Sequence, residues 1–253
     1  VSLDTRIFVD SVIKFAFRFV FSITKIVTEQ HKNKTTIDII RPFGPSILKC
    51  KLPETLIKDL NQDCLDISNK KKEKRDWSDQ LAGRVKEEYH ISQDVLIKHA
   101  NWFNAVTGRY LFPNDLDFKN QKDVFKVGIA SGWFVRQYEG DFNPYHYHTG
   151  CNISCIGYLK LPEDINEYWE KEDKDHNPFG GYLDFRYGTI GLNCPNNMKL
   201  KPQVGDFYMF PNWLDHQVYP FKSKYKSPDI KGERRSFSLN IVFSNVEKNR
   251  NKD

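Results

Sequence analysis

From about residue 124 to residue 243 the chain reads as short strand-like runs separated by clusters of Gly, Pro and Asn, with no long helical pattern between them. The runs at 124–129, 132–138, 153–161, 182–186, 206–210, 217–219 and 235–243 are rich in β-branched and aromatic residues. Such residues suit a pleated, half-buried surface. Parallel strands need a crossover of a dozen or more residues, usually a helix. Without those helices a βαβ architecture is excluded, and many short strands point to a sandwich or jelly roll. With 19 Phe and 12 Tyr in 253 residues, the chain carries enough apolar surface to bury a sizeable core, which excludes global disorder.

The N-terminal part reads differently. Val12, Ile13, Phe15, Phe17, Val20, Ile23 and Ile26 have the spacing of an amphipathic helix. Lys14, Arg18 and Lys25 interrupt that stretch, so it is no membrane span. A short strand is expected at 36–40, a turn at 42–45, and helices at 53–60 and 93–106. The expected organisation is an N-terminal α-rich segment (1–118) packing on the core, a β core (119–246) and a charged tail (247–253). Residues 163–180 and 221–232 read as surface loops. Trp133, Phe207 and Trp213 read as core.

The formal charge of +5 is concentrated in the run 69–75, Asn-Lys-Lys-Lys-Glu-Lys-Arg. No recognised nucleic-acid motif accompanies that run, so it reads as a solvated loop and no nucleic-acid partner is expected. No membrane partner is expected either. Five cysteines without regular spacing argue against a disulfide framework and fit a reducing, cytoplasmic setting.

The chemistry-bearing segment is Tyr138-Glu-Gly-Asp-Phe-Asn-Pro-Tyr-His-Tyr-His148. Residues i and i+2 of a strand share a face, so His146 and His148 can project into one space. A third candidate is His216, at the end of Gly205-Asp-Phe-Tyr-Met-Phe-Pro-Asn-Trp-Leu-Asp-His216. Three facial ligands leave open positions on a metal, which is the logic of non-haem iron(II) oxygenases. Farther on, alternation within Glu233–Phe243 puts Arg234, Ser236, Ser238 and Asn240 on one face of a strand. A guanidinium there suits a carboxylate, because its planar fork donates two parallel hydrogen bonds. Arg235 lies one register away, and a bulge would exchange the two arginines.

With these motifs in order, residues 124–245 resemble the 2-oxoglutarate and iron(II)-dependent oxygenase superfamily. They are most similar to the 2OG-Fe(II) oxygenases of marine bacteria and their phages and more distantly to prolyl 4-hydroxylases. The stretches that carry the likeness are 140–150, 154–162, 205–216 and 233–240. The resemblance implies a mainly β protein with flanking α: a double-stranded β-helix (jelly roll, cupin-like). It implies a dioxygenase that hydroxylates a substrate while 2-oxoglutarate is decarboxylated to succinate, with Fe(II), 2-oxoglutarate and dioxygen as cofactors. His146 and His216 match its two histidine ligands. His148 stands where most of the superfamily carries Asp or Glu, so either the iron is held by three histidines or His148 does not ligate it. Arg234 with Ser236 matches the cosubstrate-binding pair, Tyr138 falls near a tyrosine that bonds 2-oxoglutarate, and Asn152 and Tyr158 are further candidates. The origin it suggests is a phage or marine bacterium, with the protein in the host cytoplasm.

Two other functions fit the same residues. One is a cupin-type three-histidine metal dioxygenase that does not use 2-oxoglutarate. The other is a non-enzymatic jelly-roll binding module with a structural metal. The substrate is open between a protein or peptide side chain and a small molecule.

Overall fold

The computed structural model describes residues 44–70, 76, 78, 81–85, 87–111, 125–168 and 179–245. The expected helix at 12–26, strand at 36–40, most of the basic run at 69–75 and the tail at 247–253 lie outside the described residues.

The first elements are strand β1 (Leu48–Lys51), helix α1 (Glu54–Ser68), strand β2 (Glu87–His90) and helices α2 (Gln93–Lys98) and α3 (Ala100–Leu111). Then come β3 (Phe125–Gln137), β4 (Asn143–His146), β5 (Ile153–Lys160), a short α4 (Ile165–Tyr168), β6 (Leu183–Arg186) and β7 (Asn197–Leu200). The last strands are β8 (Asp206–Pro211), β9 (Asp215–Val218) and β10 (Arg234–Asn245). They form a six-stranded sheet, β1-β8-β5-β10-β3-β2, and a four-stranded sheet, β4-β9-β6-β7. All pairings are antiparallel. Two such sheets face to face, with helices behind the larger one, make the double-stranded β-helix.

Alternation along the strands divides the apolar residues between two layers. Phe134, Phe207, Phe237 and Leu239 leave the large sheet on its outer face and are buried with Leu56, Leu60 and Phe103 of the helices. Helix α1 supplies that layer because Leu56, Leu60, Cys64 and Ile67 share one buried face. Ile156, Tyr158, Tyr208 and Phe210 leave on the inner face and meet Leu183, Phe185 and Val218 of the small sheet.

Three expectations need correction. The two runs at 124–129 and 132–138 are one strand, β3. Its irregularity is taken up by a bulge against β10 between Asn240 and Ile241, and Gly132 leaves room for Leu239, whose Cδ2 would lie 2.6 Å from an added Cβ. The helix at 93–106 is two helices that meet at His99, whose Nε2 lies 2.6 Å from Asp59 of α1. The segment before residue 119 also does more than pack helices on the core. Its β1 and β2 extend the large sheet at both edges. These four-residue strands are too short for alternation to announce them. Among the described residues no helix is long and apolar enough to cross a membrane.

Candidate metal centre

His146 ends β4 and sits directly opposite His216 of β9 in the ladder. His148 lies two residues past His146, just beyond the strand. Its backbone is fixed by Asn212, which follows Pro211 in the β8–β9 turn. The His148 N–H donates to the Asn212 carbonyl (2.9 Å), and Asn212 Nδ2 donates to the His148 carbonyl (2.9 Å). The Pro-Asn turn therefore brings His148 to the other two histidines. Ring centroids are 4.3 Å apart for His146–His216, 5.1 Å for His148–His216 and 5.3 Å for His146–His148. One candidate ligand atom from each residue lies within 4.8 Å of the others.

The tautomers follow from the acceptors around the rings. Nδ1 of His146 is 2.7 Å from the Pro144 carbonyl, and Nδ1 of His216 is 2.9 Å from the Leu214 carbonyl. Nδ1 of His148 is 2.7 Å from Oδ1 of Asn240. A carbonyl oxygen only accepts, so each Nδ1 carries the hydrogen and each Nε2 keeps its lone pair. This is the usual arrangement of metal-binding histidines, in which the second nitrogen is tied down by an outer partner. Burial lowers the pKa of all three rings, most of all for His216, where the two neighbouring rings lower it further. Neutral imidazoles with free Nε2 atoms fit a divalent transition metal.

The histidines open on a cavity of about 360 Å³ between the sheets. Its floor includes the β10 stripe expected from the sequence: Arg234, Ser236, Ser238 and Asn240 all line it. Arg234 is 1% exposed. Its Nη1 donates to the side-chain carbonyl of Gln137. Nε and Nη2 are buried and make no hydrogen bond. Its guanidinium carbon lies 5.1 Å from the centre of the Tyr158 ring, and the buried Tyr158 hydroxyl interacts with the guanidinium without a well-formed hydrogen bond. Burial depresses the Arg234 pKa, yet arginine stays charged.

Arg235 points to the opposite face. There it donates through Nε and Nη2 to the two carboxylate oxygens of Glu233 (2.8 and 2.7 Å) and through Nη1 to Asn61 (2.9 Å). Two other candidates fall outside the cavity. The Tyr138 hydroxyl accepts from Arg136 Nη2 (3.0 Å), and the Asn152 side-chain carbonyl accepts from the Phe243 N–H (2.9 Å). Both side chains serve the framework rather than the histidine pocket. Trp133 is buried against the cavity, 5.8 Å from the His148 ring, and Phe207 is in the core. Trp213, expected in the core, is 51% exposed and lies beside Tyr187 with the two rings tilted. Sequence reading did not single out Gln137 or Glu88. Both are buried, and Glu88 lines the cavity. Gln137 could have been found by continuing the β3 alternation through Val135, whereas nothing in the sequence marks Glu88.

Residues 131–240 match the family model described as "Putative 2OG-Fe(II) oxygenase", a segment shorter than half of the chain that contains all three histidines and Arg234. No curated protein gives a significant match. Among solved structures, the chain is similar to the viral collagen prolyl hydroxylase vCPH of Paramecium bursaria chlorella virus 1 in complex with 2OG. That likeness has 16% identity and a TM-score of 0.44 and covers 77% of this chain and 94% of that one. It is also similar to a prolyl-4-hydroxylase of Pseudomonas putida (15%, TM-score 0.46, covering 79% and 93%). A third likeness is to SnoN, a non-heme alpha ketoglutarate dependent epimerase from nogalamycin biosynthesis (12%, TM-score 0.49, covering 78% of each chain). The family match lies on the part of the double-stranded β-helix that gathers the three histidines.

Proposed function

We propose that the protein is a mononuclear metal-dependent dioxygenase whose centre, His146, His148 and His216, takes iron(II), and that its cosubstrate is 2-oxoglutarate. The observation that carries the cosubstrate is Arg234. A buried cation without a counter-charge costs several kcal/mol, and no ion pair offsets this one among the described residues. A carboxylate delivered by a ligand would meet Nε and Nη2 together, in the two-pronged geometry that guanidinium favours. The Tyr158 hydroxyl stands beside the guanidinium as a further donor, and Ser236 lies along the same stripe. Three neutral imidazoles add no negative charge to a divalent metal, so an anionic cosubstrate supplies what a carboxylate ligand would otherwise supply.

Bound iron supplies activation of dioxygen. The chain's own residues do the rest. Pro144, Leu214 and Asn240 fix the ring tautomers, while Phe185 and Phe210 pack around His216 and keep water from it. Arg234 orients the acidic cosubstrate along β10. The substrate hydroxylated in this reading is a side chain of a protein or a small molecule.

A second reading rests on the donor set itself. Three histidines with no carboxylate suit a cupin-type dioxygenase that does not use 2-oxoglutarate, and taken alone the donors favour that reading. Arg234 would then hold an acidic substrate. An anaerobic titration with Fe(II) and 2-oxoglutarate, followed by visible absorbance, separates the two. A charge-transfer band that needs both additions supports the first reading. Stoichiometric iron binding without the band supports the second. No iron binding would overturn both and leave a jelly-roll binding module.

A further inference from the structure

The cavity contains a second buried charged residue type, and the metal centre does not use it. Glu88 of β2 is 2% exposed and lines the cavity. In the large sheet it pairs with Val135, which pairs with Ser236. Glu88 therefore lies two strand spacings, about 10 Å, from the β10 stripe. Its backbone N–H donates to Ser78 Oγ (3.3 Å). Among the described residues no group donates to its carboxyl oxygens. The nearest arginine on β3, Arg136, is directed to the other face, where it binds Glu233 (2.7 Å) and Glu87 (2.5 Å). Burial first, and then the carboxylates of Asp76 and Asp141, together push the Glu88 pKa up to about 8.

The cavity is thus bipolar. At Arg234 a guanidinium lacks an anion, and at Glu88 a carboxyl sits in negative potential and lacks a cation. The two do not pair with each other. A buried carboxyl of this kind keeps a proton when alone and exchanges it for a better-placed cation. An ammonium or guanidinium would provide the hydrogen bonds that Glu88 lacks and offset the field of Asp76 and Asp141. A second anion would meet repulsion there.

Resting on the oxygenase reading above, we propose that Glu88 is a specificity-determining residue for the substrate that is oxidised, and that this substrate carries an amine or guanidine group. The cation on Glu88 and the acidic cosubstrate on Arg234 would enter opposite ends of one cavity, with the histidines between the sheets beside them. The cation can come from a free amine or from a lysine side chain of a peptide.

The test is calorimetric titration of the full chain at pH 7 with n-butylammonium, n-butylguanidinium, acetyl-Ala-Lys-Ala-amide and the neutral n-pentanol, for wild type and Glu88→Gln. The glutamine matches a protonated carboxyl in shape, and unchanged near-UV circular dichroism confirms its fold. At least one cationic probe is expected to bind wild type about ten-fold or more tightly than the variant, and to release a proton to the buffer. Binding of the peptide alone points to a protein side chain, and binding of the free ions alone to a small molecule. Equal affinity in both proteins, or no cationic probe bound, overturns the proposal. These titrations need no iron or 2-oxoglutarate, so their failure is distinct from failure of the oxygenase reading.

Discussion

Nδ1 of His148 lies 2.7 Å from the side-chain carbonyl of Asn240, which joins the loop after β4 to the strand that carries Arg234. One asparagine therefore sets the tautomer of a candidate ligand and belongs to the polar stripe of the cavity. Asn240 is also the last residue of β10 before its register against β3 shifts.

This link predicts that Asn240→Leu weakens metal binding without unfolding the protein. Outer partners of metal-binding histidines are worth about 10–100-fold in affinity. A competition titration against a chromophoric chelator should show a loss in that range. Wild-type affinity in the variant would mean that His148 is not oriented by Asn240 or does not bind the metal.

Arg234→Met separates binding from stability. It should abolish measurable 2-oxoglutarate binding while leaving metal affinity unchanged. In the absence of cosubstrate the variant should be as stable as wild type or more so, because a buried ion carries a desolvation penalty on the order of several kcal/mol that no counter-charge repays here. Urea unfolding midpoints read this directly. A large destabilisation would show that Arg234 is a framework residue.

Glu233 should behave in the opposite way. It is fully buried, and burial alone would raise its pKa. The hydrogen bonds from Arg235 and Arg136 outweigh burial and hold the pKa below the ordinary value. A depressed carboxyl contributes stability that is present above its unfolded pKa and lost as pH falls through its folded pKa. Glu233→Gln leaves two buried arginines short of a counter-charge and should cost about 3–5 kcal/mol at pH 7. The gap between variant and wild type should narrow as pH falls below the unfolded pKa, in unfolding curves recorded at steps from pH 7 to pH 3.

Gly157 of β5 is required by packing. An added Cβ would lie 2.2 Å from Cε1 of Phe237, the cross-strand neighbour that stacks on Phe207. Gly157→Ala should destabilise by about 1–3 kcal/mol, the usual cost of overpacking a tight core. Thermal unfolding of the single variant checks this, and Phe237→Leu in the same chain should recover part of the loss.

Much of the β core was legible in the sequence because its strands are long enough for alternation to be seen. The polar stripe of β10 is the clearest case. Arg234, Ser236, Ser238 and Asn240 occupy one face by strand geometry alone, and all four line the cavity. His146 and His148 were marked by their spacing, and His216 by the turn that precedes it. The structure decided what local pattern does not carry. Alternation and the spacing to Ser236 favoured Arg234 over its neighbour Arg235, but a bulge would have exchanged them, and only the pairing of Arg235 with Glu233 on the outer face removes that alternative. Tyr138 and Asn152 sat at plausible positions, but hydrogen bonds to Arg136 and Phe243 turn their polar groups away from the cavity. Glu88 came from a four-residue edge strand about 60 residues before the histidines, and sheet pairing alone brings it into their cavity. Local alternation dictates which face a side chain takes, whereas its partners are fixed only when distant strands pair, because those contacts depend on register across the sheet.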